Sequence, residues 1–212
     1  MVHPSVRVFT GVIQRSACDA SVPGCRVRQA PQNRRASSLP PLFYCSHTLG
    51  PLRHLMDDRC VTAVGMNTGG QVAPEVCSTD MESGLLKTAK RKVIRLTNGF
   101  YIAHPFSFYL GLYGTRGSVR MVNLGGGKMT RYYTDGEPDK GCQPMELPWE
   151  ARPDGQYWML VMLEEYIAAI VNDTAPPLDP CASMDCTLPG ICAHLSAKQG
   201  GEAVAVPDYR NL

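Results

Sequence analysis

Tyr44-Cys45-Ser46-His47-Thr48-Leu49-Gly50-Pro51 sets a phenol and an imidazole three positions apart, just ahead of a predicted helix. An imidazole titrates near neutrality and can take a proton from a ligand hydroxyl or return one. If the turn is helical, Tyr44 falls on the same side as His47 and can hydrogen-bond a second hydroxyl. A structural histidine and a core tyrosine with a satisfied hydroxyl are the competing accounts. Tyr113, Tyr109 and His104 lie on or beside an aromatic segment, residues 106–113, and could line a sheet face as substrate contacts; packing is the simpler role for each. Cys181, Cys186, Cys192 and His194 have the spacing C-x4-C-x5-C-x-H, without the paired C-x2-C of zinc sites. Positions five apart diverge on a helix, so no metal site is expected. The glycine clusters Gly114/Gly117 and Gly125–Gly127 read as β-turns. Neither opens a helix after a parallel strand, as a dinucleotide fingerprint requires, so no cofactor-binding residue is assigned.

The elements that must hold these residues follow from periodicity and punctuation. Residues 49–56 read as a helix with Pro51 in its first turn, where a missing N–H costs nothing. Residues 61–66 read as a strand and 67–80 as a polar loop. A meander follows, with strands at 85–88, 93–100, 106–113, 118–122 and 128–134 joined by basic or Gly-rich turns. Residues 157–171 form a helix that is apolar nearly all round, a pattern expected of a helix buried on most sides. A second helix spans 183–198, with Ser183 as N-cap, Pro189 inside it and Gly200-Gly201 closing it. Residues 202–206 make a last short strand. The order helix, strands, helix, helix, strand predicts an α+β fold, a largely antiparallel sheet with helices packed on one face.

The totals bound the rest. The 212 residues are 44% hydrophobic, enough for one sizeable core. The net charge of +2 does not call for nucleic acid. Residues 1–38 hold six Arg against Asp19, a net of +5 that leaves −3 for the remainder. They show no sustained periodicity and read as a disordered or unrelated tail, with order beginning near Leu39. Nine Cys is an odd number at irregular spacing, and no secretory signal stands out. Reduced thiols in a cytoplasmic protein are the default, and no stretch is long and uncharged enough to span a membrane.

From about Leu39 to Arg210 the chain resembles the C-terminal domain of the Gfo/Idh/MocA family, which comprises NAD(P)-dependent oxidoreductases and related NAD-dependent glycosidases. The stretches that carry the likeness are YCSHTLGP at 44–51, LTNGF at 96–100, LYGTRGSV at 112–119, PPLD at 176–179, MDCTLPG at 184–190 and AKQGGEAVAV at 197–206. The resemblance implies a substrate-binding and oligomerisation domain, residues 39–212, acting on a carbohydrate. NAD(P) would be held mainly by a Rossmann domain that this chain lacks. It implies that His47 is the catalytic, substrate-facing histidine, that Tyr44 binds substrate beside it, and that copies pair through the sheet. The family's Glu-Lys-Pro motif is missing. A non-catalytic assembly or binding module that keeps only the sheet is the alternative.

Overall fold

The computed structural model describes residues 6–14, 39–72, 79–100, 107–114, 117–124, 127–134, 144–146 and 158–210. In chain order these form β1 (Val6–Gln14), a five-residue 3-10 turn (Pro41–Cys45), α1 (Ser46–Met56), β2 (Cys60–Asn67), β3 (Met81–Thr88) and β4 (Val93–Gly99). Then come β5 (Ser107–Gly114), β6 (Gly117–Leu124), β7 (Gly127–Thr134), β8 (Pro144–Glu146), α2 (Trp158–Val171), α3 (Pro180–Lys198) and β9 (Val204–Ala205). The strands make one sheet in the order β8-β7-β6-β5-β1-β4-β3-β2-β9. Only the β1–β4 pairing is parallel, so the expected α+β class with a largely antiparallel sheet holds.

The expectation that order begins near Leu39 fails for β1. Val6–Gln14 sits inside the sheet, pairing with β4 on one side and β5 on the other. Its β-branched residues Val6, Val8, Thr10, Val12 and Ile13 suit a pleated strand, and the charge of the surrounding segment masked that signal. A strand with two neighbours has both rows of backbone groups paired, which offsets the cost of ordering nine residues.

Alternation decides which face is covered. On β3 the buried positions are Glu82, Gly84, Leu86 and Thr88; on β4 they are Ile94, Leu96 and Asn98, with Gly99 buried at the strand's end. Leu42, Leu49 and Leu52 from the 3-10 turn and α1 complete a core with Leu86 and Leu96, all essentially inaccessible. The other face of the same strands presents Leu85, Lys87, Val93 and Arg95 to solvent.

Helix α3 lies against the covered face because small residues let two backbones meet. A Cβ built on Gly65 of β2 would stand 1.9 Å from the Ala193 carbonyl oxygen, and one on Gly190 of α3 would stand 2.3 Å from both the Cys45 sulfur and the Leu42 oxygen. The helix starts one turn before the predicted Ser183. Asp179 is its N-cap, its carboxylate accepting from the Ala182 N–H at 2.6 Å, with Pro180 in the first turn. Helix α2 corrects a second expectation: Leu160, Met162, Leu163, Ile167, Ile170 and Val171 are all exposed, and Ala169 is its one buried residue among those with described side chains.

Candidate functional site

The 3-10 turn that carries Tyr44 is held by two side chains that stand opposite each other on the covered face. Glu82 and Asn98 are register partners across β3 and β4. The Glu82 Oε2 accepts from the Leu42 N–H at 3.0 Å, and the Asn98 Nδ2 donates to the Pro41 carbonyl at 2.8 Å. That carbonyl and that N–H belong to one peptide group, so a carboxylate and an amide grip both of its polar ends. The second Glu82 oxygen lies 2.7 Å from His194 Nδ1 on α3, whose ring meets Phe43 edge-on at 5.4 Å. At the far end of the turn, the Cys45 thiol donates to the Cys186 carbonyl at 3.2 Å. Two buried atoms, Asn98 Oδ1 and Thr48 Oγ1, have no hydrogen-bond partner among the described residues.

The turn passes without a break into α1, so His47 stands inside the first helical turn rather than ahead of the helix. Tyr44 is half-buried and His47 exposed. Their rings lie 6.1 Å apart with a 34° tilt, and Tyr44 packs edge-on against Phe100 at 5.2 Å. The predicted pairing of phenol and imidazole is therefore present, with the imidazole on the open side where a ligand hydroxyl can reach it.

Tyr113 does not join them. Leu110 and Leu112 of β5 belong to the covered core, so Tyr109, Gly111 and Tyr113 belong to the opposite face. The register through β1 sets Tyr113 level with Val93, whereas the turn is held at Asn98, five residues or roughly 16 Å further along β4. Tyr113 instead folds back over Gly111, its hydroxyl 2.9 Å from that of Tyr109. His104 lies outside the described residues.

Three of the four residues that invited a zinc reading have different surroundings. Cys192 points to the Ala205 carbonyl, Cys186 packs in the core and His194 turns to Glu82. Among the described residues no group of three His, Cys, Asp or Glu could hold a metal ion. The core thiols are far from reactive: burial pushes Cys45 up to about 12, and burial with the nearby Asp58 and Asp185 pushes Cys60 up to about 12. Asp185 on α3 gathers Arg53 Nε at 3.1 Å, the Tyr209 hydroxyl at 3.0 Å and Arg210, latching the chain's last described residues onto α1 and α3. Burial and the Asp185 carboxylate raise the Tyr209 phenol to about 12.

Sequence reasoning did not single out Glu82, Asn98 or Asp185. A signal existed for the first: in M-E-S-G-L-L-K-T the residues alternating inward with Gly84 and Leu86 include a glutamate, and a carboxylate at an inward position must find partners.

No family model matches the chain, and no curated protein matches it in sequence. Solved structures do match. Levoglucosan dehydrogenase in complex with NADH and L-sorbose superposes with a TM-score of 0.70 at 12% identity over 96% of this chain. Aldose-aldose oxidoreductase from Caulobacter crescentus gives 0.70 at 12% over 94%, and UDP-N-acetylglucosamine 3-dehydrogenase from Acidithiobacillus ferrooxidans 0.68 at 9% over 93%. The fold is that of a Gfo/Idh/MocA C-terminal domain. The chain spans only 55–59% of the length of these neighbours. No helix among the described residues is long and apolar enough to cross a membrane.

Proposed function

We propose that this chain is the substrate-binding domain of an NAD-dependent oxidoreductase or NAD-dependent glycosidase acting on a carbohydrate, with His47 as the proton-handling residue. The observation that carries the reading is an exposed imidazole beside Tyr44 on the fold of sugar-oxidising neighbours. The flanks of both glycine clusters are hairpin strands. By the family resemblance NAD(P) would be held mainly by another domain, and when bound it would supply the hydride acceptor. His47 takes the proton of the sugar hydroxyl on an imidazole nitrogen as that carbon is oxidised. Tyr44 hydrogen-bonds a neighbouring hydroxyl and fixes which carbon faces the cofactor. The open sheet face, with Leu85, Val93 and the Tyr109–Tyr113 pair, serves self-association in the cytoplasm.

The alternative reading is a module that binds or assembles without catalysis, using the open sheet face that carries Leu85 and Val93. Ligand-observed NMR with levoglucosan, L-sorbose and simple aldoses separates a sugar role from no sugar role at all. Saturable binding of at least one sugar is expected, and turnover should appear only when an NAD-binding domain is supplied. Absence of binding across the panel would contradict the substrate-binding reading of the Tyr44–His47 face and leave the assembly module.

A further inference from the structure

We infer that Glu82, Asn98 and His194 are positioning residues: by clamping the Pro41–Leu42 peptide group they set how Tyr44 approaches His47. The clamp reads both ends of one peptide, accepting from its N–H at 3.0 Å and donating to its C=O at 2.8 Å. A rigid peptide plane held at both ends cannot rotate about the chain axis, which apolar packing alone would permit. Tyr44 follows two residues later within the same turn, and His47 three residues after that within continuous helical backbone. A change of angle at the clamp is therefore transmitted to both rings. Glu82 is fully buried, as costly a place for a carboxylate as the covered face offers, and each of its oxygens has one partner. His194 stops that carboxylate from swinging, and its edge-on contact with Phe43 couples the ring to the residue between Leu42 and Tyr44. Asn98 Oδ1 argues the same way: the amide is oriented to serve Pro41, and its acceptor has no partner among the described residues.

The inference rests on the proposal that Tyr44 and His47 face the substrate, yet its test needs no substrate, so failure of the clamp and failure of that reading remain distinguishable. The full chain is compared with Glu82→Gln, Glu82→Leu, Asn98→Leu and His194→Phe by NMR. The readouts are the Tyr44–His47 ring cross-peak, the His47 Cε1–H shift with His54 as reference, and exchange of the Leu42 amide. Glu82→Leu and Asn98→Leu should lose the cross-peak and shift His47 but not His54. Leu42 exchange should accelerate roughly tenfold or more in Glu82→Leu. Glu82→Gln keeps an acceptor for Leu42 and a donor for a neutral His194, and should preserve all three signals. His194→Phe should weaken the cross-peak without abolishing it. Should Glu82→Leu fail to fold, Asn98→Leu carries the same comparison. A cross-peak unchanged in folded Glu82→Leu or Asn98→Leu, or Glu82→Gln losing as much as Glu82→Leu, would overturn the inference.

Discussion

Helix α2 carries Leu160, Met162, Leu163, Ile167, Ile170 and Val171 and leaves each of them between 49% and 75% exposed. Helix α3, built largely from Cys, Ser, Ala, Gly and Pro, buries Cys186, Pro189, Gly190, Cys192, Ala193 and Ser196. The more apolar helix is thus the open one. What decides burial here is how close two backbones can come. Gly65 and Gly84 on the sheet face Ala193 on the helix, and Gly190 faces Leu42 and Cys45. Polar bonds then fix the fit: the Ser196 hydroxyl accepts from the Gly65 N–H at 2.9 Å, and Glu82 meets His194. The two faces of the sheet differ in the same way, with Leu86 and Leu96 sealed under the helices and Leu85 and Val93 in water.

The sharpest way to break this contrast is truncation on each face. Leu96→Ala should cost roughly 2–5 kcal/mol, because a fully buried leucine leaves a cavity. Leu85→Ala, one strand away and half-open, should change stability by no more than about 0.5 kcal/mol. Urea unfolding of both variants gives the comparison, and equal losses would show that the open face is covered in solution. Next in size is the close approach itself. Gly65→Ala should lose roughly 1–3 kcal/mol or more, since the obstacle is the Ala193 backbone rather than a flexible tip.

The thiols under α3 give a pH signature. Cys45 and Cys60 have folded values near 12 against an ordinary 9.0, so the folded chain keeps protons that the unfolded chain releases. Their contribution is complete below pH 9 and is lost as pH rises from 9 toward 12, by about 1 kcal/mol per thiol between pH 9 and 10. Cys60→Ala should flatten that alkaline slope, and a parent whose unfolding midpoint holds steady from pH 8 to 10 would contradict the burial. The smallest effect is at Gly50: beyond its chain neighbours and the helix backbone nothing lies within 4 Å of a Cβ there, but Pro51 follows and disfavours helical backbone for a residue with a Cβ, so Gly50→Ala should gain nothing and shift stability by no more than about 0.5 kcal/mol, read from the melting temperature.

Much of this was legible in the residues. Basic and Gly-rich turns marked the hairpins and β-prone runs marked their strands to within a few residues, but the expected unbroken meander fails because β1 lies between β4 and β5. Two things were hidden by physics that acts at long range. β1 lies between strands remote in sequence, and its order comes from ladders on both sides that a tally of local charge cannot see. The apolar run of α2 signals a helix, but whether a helix is buried depends on what faces it. The proximity of Tyr44 and His47 was readable because three positions of helical backbone bring them together. Tyr113 was read as lining a sheet face, but the aromatic strand alone does not say which face its odd positions take; Leu110 and Leu112 packing inward decides it.

The central claim is that the working face is the one bearing Tyr44 and His47. Titration of the parent, His47→Asn and Tyr113→Phe with a sugar that binds the parent tests it most directly. Loss of one hydrogen-bond partner should weaken binding by roughly 3- to 10-fold in His47→Asn. Tyr113→Phe, on the opposite face, should bind as the parent does. Unchanged affinity in folded His47→Asn together with weakened binding in Tyr113→Phe would contradict the account.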